Sequence, residues 1–310
     1  MTYFVRAAFL SFSTFFLTYV LLSLVLVCGW RGIRKRGVEW SASLLFGLRV
    51  FPLVCAVALV TCLVLPSFLY LEPHQPGESF AIHALALGFG GLVLIGFGAV
   101  SALFAAWKTS RYVASCCRTG PIQRNEFGTA TIKVAAASPL LLVAGVCKPT
   151  LLVSEQTHEI LNPDELQVAI RHEMAHVRVR DNLKKLVLRF CRFPWLESLE
   201  RSWMRRAELE ADEIAVTNES AAVDLASALV KLASQLPHAQ VPEIAMSLVR
   251  DSDDALRARV ERLLTWKPRA IALPRKRLSM TLALSGVAVF VAVYAPMLHH
   301  VHELTELLMR

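Results

Sequence analysis

The sequence predicts a mostly α membrane protein: four transmembrane helices and a cytoplasmic α+β domain built round a small β-sheet. Three observations predict it. Of the 310 residues, 55% are hydrophobic and the mean hydropathy is +0.48, above the roughly 45–50% apolar content of soluble chains. Charge is unevenly spread, with residues 1–107 nearly free of it and most acids and bases between 108 and 278. From Thr129 the long apolar runs give way to short β-rich ones.

Four runs reach the roughly 20 apolar residues that a bilayer crossing needs, at about 9–28, 44–71, 80–107 and 278–298. A cleaved signal peptide is the rival reading of the first. Its apolar stretch is too long, and no small-x-small site precedes Trp30. A lipoprotein reading of "VLVCG" fails because Val27 precedes Cys28. Arg31, Arg34, Lys35 and Arg36 follow the first span, whereas the second loop has Glu72 and Glu78 and no base. Lys108, Arg111 and Arg118 follow the third span, and Arg275, Lys276 and Arg277 precede the fourth. Cytoplasmic loops collect Lys and Arg. Both termini are therefore expected outside, in what reads as a bacterial cytoplasmic (inner) membrane. The expected domains are 1–107 (three spans), 108–277 (the cytoplasmic domain), 278–298 (the fourth span) and 299–310 (a short outer tail).

The net charge of +8 sits beside apolar spans, which fits the inner membrane face better than nucleic acid. The seven cysteines include no C-x-x-C pair and read as reduced packing residues. Cys116 and Cys117, just past a span, have lipidation as the rival reading. Arg6, Arg49 and His83 lie near span ends, where snorkelling accounts for them. The glycines of the third span, Gly88 to Gly98, suit close helix packing, within this chain or in a homodimer. His299 to His302, "HHVH", reads as an exposed interfacial tail, with an outer metal site as its rival.

"TATIKV", "PLLLV" and "TLLVS" predict a sheet of two or three strands ending near Ser154, with helices from there to about Trp266. The key helix should run from Pro163 to about Arg180. Asn162 is its N-cap, Pro163 fits the first position, and Asp164 and Glu165 suit the positive dipole end. Glu165 also completes a capping box. Apolar residues on nearly every side predict burial.

This helix carries "RHEMAHVRVRDN". His172 and His176 share a face, one turn apart, where two imidazoles can hold one zinc ion. Glu173 is placed as the base that takes a proton from the attacking water. The bland reading is a pair of hydrogen-bonded core histidines. Asn182 stands where a third histidine would follow, so the third ligand must come from elsewhere. In "RRAELEADEIAV", Glu208, Ala211, Asp212 and Ala215 share one narrow face. Glu208 is the expected third ligand, and Asp212 is expected to receive the N–H of a ligand histidine and fix its ring. A solvated charged face is the alternative for these two acids.

"HEMAHVRVRDN" followed by "ELEAD", with the lead-in "SPLLLVAGVCKPTLLVSE" and the later "LRARVERLL", resembles the BlaR/MecR-type membrane zinc metallopeptidases (gluzincin type). The resemblance covers nearly the whole chain. It implies zinc as cofactor, His172, His176 and Glu208 as its ligands, Glu173 as base, and regulatory proteolysis of a cytosolic or membrane-near protein. It also implies partners: a transcriptional repressor or membrane protein as substrate, a separate sensor protein, and the lipid bilayer, with no direct nucleic-acid contact. The chain stops at Arg310 without the outer penicillin-binding domain of the family's receptors, so antibiotic sensing by this chain alone is not expected. Two alternatives are an HtpX-like quality-control protease and a zinc-binding signalling or scaffold protein with little proteolysis. Arg205, Arg206 and His158 are candidate oxyanion donors, and the strands at 140–143 or 150–154 are candidates to pair with an extended substrate.

Overall fold

The computed structural model describes residues 3–34, 40–71, 82–119, 122–124, 128–134, 141–235, 246–247 and 253–267, with a few positions between 297 and 304. The fourth span expected at 278–298 lies outside the described residues, 297 and 298 apart, as do His299 and His302 of the tail. The chain divides into two compact units. One comprises Met1–Val38, Val50–Phe97 and Ala270–Arg310; the other comprises Glu39–Arg49 and Gly98–Arg269.

Among the described residues, three helical rods are long and apolar enough to cross a membrane: Tyr3–Arg34, Ala42–Leu71 and Ile82–Arg118. Helix α1 spans Tyr3–Arg34. The second rod is α2 (Ala42–Leu59), a π-helical turn (Val60–Val64) and α3 (Leu65–Leu71). Pro66 explains the wide turn. Its ring crowds the carbonyl four residues back and it has no N–H to give, and the Leu65 N–H reaches back to the Val60 carbonyl instead. Helix α4 spans Ile82–Thr119. In the first unit, Gly88, Gly90 and Gly91 of α4 lie against α1. A Cβ on Gly88 would stand 2.8 Å from the Phe9 ring, and one on Gly91 would run into the Phe12 carbonyl. The Ser13 hydroxyl crosses this contact to the Ala84 carbonyl at 2.7 Å. Packing within the chain thus accounts for Gly88 and Gly91.

The second unit is built on a mixed five-stranded sheet, ordered β1-β2-β4-β3-β5. The strands are β1 (Ile122–Arg124), β2 (Ala130–Val134), β3 (Leu141–Ala144), β4 (Thr150–Ser154) and β5 (Met246–Ser247). The sheet is larger than the sequence predicts, because β1 and β5 are too short to show a period-2 pattern. β5 also interrupts the expected helical run. β4 pairs parallel with β2 and antiparallel with β3. It is an interior strand, so the expectation that 150–154 pairs with a substrate fails for want of an open edge.

Side chains alternate across the sheet. Leu141, Val143, Leu151 and Val153 enter the main core with the helices beyond β4, while Leu142, Ala144, Leu152 and Ile132 pack on Cys116 and Tyr112 of the last turns of α4. Those helices are α5 (Glu155–Ile160), α6 (Pro163–Arg178), α7 (Asp181–Phe190), α8 (Glu197–Ala215), α9 (Glu219–Gln235) and α10 (Asp253–Leu264). Arg49 does not snorkel. It is buried, bonds Glu200 at 2.8 Å and donates to the Cys191 carbonyl. The sequence shows only its distance from a span end, whereas α8 supplies the carboxylate that pairs with it.

Candidate metal centre

Helix α6 begins as its sequence dictates. The Asn162 side chain accepts the Glu165 N–H at 2.8 Å, and the Glu165 carboxylate accepts the Asn162 N–H at 2.9 Å. Glu165 is tied further to Lys231 at 2.7 Å and Ser227 at 2.5 Å, both on α9. α6 then delivers His172 and Glu173, and one turn on His176, into the interior, none more than 2% exposed. From α8 come Glu208, Ala211, Asp212 and Ala215, all buried. The alanines let α8 lie close to α6, as the one-face pattern requires. Glu210 and Glu213 turn elsewhere, to the Ala42 N–H and to Arg262.

The structure brings His172, His176 and Glu208 together as a buried group that could hold a metal ion. The two Nε2 atoms stand 3.2 Å apart, Glu208 Oε2 is 3.3 Å from the His172 Nε2, and Glu208 Oε1 is 3.6 Å from the His176 Nε2. Ligands at about 2.0–2.1 Å from a tetrahedral zinc stand roughly 3.3–3.4 Å from one another, so the donor set fits.

Each histidine turns its other nitrogen to a carboxylate. His172 Nδ1 lies 2.9 Å from Asp212, an ion-pair distance without hydrogen-bond alignment, and His176 Nδ1 is hydrogen-bonded to Asp181 at 2.8 Å. A neutral imidazole carries one proton. In the neutral rings, with that proton at Nδ1, both Nε2 lone pairs would face the Glu208 carboxylate with no hydrogen between them. Among the described residues Glu208 Oε2 makes no hydrogen bond, and the Arg259 guanidinium stands 3.2 Å from it as an ion pair. Such a convergence of buried acceptors is costly unless a cation joins it.

The electrostatics agree. Burial should lower the His176 pKa, yet Glu208 and Asp181 outweigh it and raise it to about 10, so its surroundings favour positive charge there. Burial likewise opposes the charge on Glu208, but His176 and Arg259 hold its carboxyl well below the usual range. Glu173 differs. Burial pushes it up to about 7, against the pull of His172 and His176. Its Oε2 accepts the Val143 N–H of β3 at 3.0 Å, and its Oε1 has no hydrogen-bond partner among the described residues.

Four participants escaped the sequence reading. Asp181 orients His176 and is itself bonded by Lys184 at 2.8 Å. Val143 anchors Glu173. Asn182 donates to the carbonyls of Val143 (3.2 Å) and Gly145 (3.0 Å), tying α7 to β3. Arg259 of α10 bonds both oxygens of Asp212, at 2.7 and 2.8 Å, and lies 3.2 Å from Glu208. The signal for Arg259 was a charge at a core-facing position of α10. The three oxyanion candidates lie elsewhere: Arg205 and His158 are exposed, and Arg206 pairs with Glu210.

Beside His176 opens a cavity of about 450 Å³, lined by Gly145, Val146, Pro149, Val177 and Leu183 with Cys147 and Arg180. Val143's main-chain groups already serve Glu173 and Asn182, and β3 pairs with Met246–Ser247 on its far side. Comparison with protein-family models and with curated proteins gives no match to this chain.

Proposed function

We propose that this protein is a membrane-anchored zinc endopeptidase of the BlaR/MecR type, cutting a cytosolic or membrane-near protein on the inner side of the membrane. One observation carries the reading: two histidine Nε2 atoms and a carboxylate converge on one buried point, next to a glutamate with one oxygen bonded to Val143 and the other unbonded among the described residues. Zinc bound by His172, His176 and Glu208 would polarise the scissile carbonyl and lower the pKa of a water molecule.

The chain's own residues supply the rest. Asp212 and Asp181 hold the two rings with Nε2 turned inward. Glu173 takes the proton of the attacking water on Oε1 as the C–O bond forms. It then hands that proton to the departing amine nitrogen as the C–N bond breaks. A group raised toward neutrality suits both halves of that exchange. The Val143 N–H keeps Glu173 Oε2 in place throughout. The apolar cavity beside His176 offers a seat for an apolar side chain of the substrate.

Zinc content and whole-cell product profiling of wild type against Glu173→Gln test this. The variant should keep its zinc and lose the cleavage products. Products unchanged in the variant would refute the role of Glu173. A zinc-loaded wild type that yields no products at all would favour a signalling or scaffold protein.

A further inference from the structure

We propose that Arg259 is a positioning residue of the metal centre, a planar clamp that sets the Glu208 carboxylate and, through Asp212, the His172 ring. This inference rests on the metal-centre reading above. Helix α10 turns Leu256, Val260 and Leu263 into the main core, and Arg259 stands among them, 2% exposed. An apolar residue there would simply extend the core. A guanidinium there is costly unless it is fully bonded.

Its bonds explain its presence. Nε and Nη2 take the two oxygens of Asp212 at 2.8 and 2.7 Å, and Nη1 lies 3.2 Å from Glu208 Oε2. Glu208 and Asp212 stand one turn apart on α8, so their carboxylates repel across the face that meets the histidines. One rigid fork contacts both and fixes their separation, which a lysine point charge cannot do. Glu208 Oε2 is also the atom 3.3 Å from His172, and Asp212 Oδ1 is 2.9 Å from that ring's other nitrogen. The clamp therefore touches Asp212, which faces one nitrogen of His172, and Glu208, the carboxylate of the donor set.

Two roles for Arg259 predict opposite signs. As a mere buried positive charge it repels a bound cation, and removing it would tighten metal binding. As a clamp it orders the donors, and removing it weakens binding. The test uses the full chain in detergent, with zinc affinity read by chelator competition and donor geometry read from the visible absorption of the cobalt(II)-loaded protein.

Arg259→Met should bind zinc about 10–100-fold more weakly and show an altered cobalt spectrum. Arg259→Lys should recover part of both losses. Zinc affinity in Arg259→Met equal to or above wild type, with an unchanged spectrum, overturns the inference while leaving the metal centre standing. Wild-type affinity no higher than that of His172→Ala overturns both. Should Arg259→Met fail to fold, Arg259→Met with Asp212→Asn removes both buried charges and is compared with Asp212→Asn alone. A further spectral change supports the clamp, and identical spectra refute it.

Discussion

The two histidines are oriented by carboxylates that look equivalent, yet the structure predicts that losing them has different consequences. Asp181→Ala removes the partner of His176, and Asp212→Ala that of His172. Losing a group that fixes a ligand ring costs about 10–100-fold in metal affinity, or roughly 1.4–2.8 kcal/mol. That loss should appear in both variants. Stability without metal should separate them. Asp181's other partner is Lys184, whose side chain is 18% exposed and can turn to water, so Asp181→Ala should cost only about 1–2 kcal/mol. Asp212's other partner is Arg259, 2% exposed with no route to water. Removing Asp212 takes two hydrogen bonds from that buried charge, at a cost of about 3 kcal/mol or more. Chelator competition reads the first quantity and thermal unfolding of the metal-stripped protein reads the second. Wild-type zinc affinity in Asp181→Ala, or equal destabilisation of the two variants, would refute the reasoning.

Glu165 should make stability pH-dependent. Burial pushes its carboxyl up, but Lys231, Ser227 and the Asn162 N–H outweigh this and hold it below the ordinary value. A depressed carboxyl stabilises fully above its unfolded pKa, and that contribution is lost as pH falls through the folded one. Glu165→Gln should therefore destabilise by about 1 kcal/mol at neutral pH, since Lys231 is 41% exposed and screened, and by nothing at low pH. Melting curves at both pH values check this. Gly91→Val should cost about 1–3 kcal/mol by forcing α4 off the Phe12 carbonyl, read as a lowered melting temperature. Zinc at 100 times its dissociation constant should stabilise the folded chain by about 2.7 kcal/mol, a gain that EDTA abolishes and that His176→Ala never shows.

What the sequence revealed was local, and what it concealed was tertiary. The cap of α6, the pairing of His172 with His176 one turn on, and the shared face of Glu208 and Asp212 all follow from the 3.6-residue period within single helices. Asp181 opens the next helix. It returns to His176 because Arg180 adopts a left-handed conformation, φ 57°, which no residue pattern there announces. Arg259 meets Asp212 from 47 positions away, and Val143 meets Glu173 from 30. The order β1-β2-β4-β3-β5 decided that 150–154 is interior, and strand order is not written in strand composition.

The anchoring of Glu173 by the Val143 amide has an evolutionary corollary. A donor on a side chain vanishes with almost any codon change, whereas one on the main chain survives every replacement except proline. Drift at position 143 is therefore free to retune how the strand packs without disconnecting the glutamate.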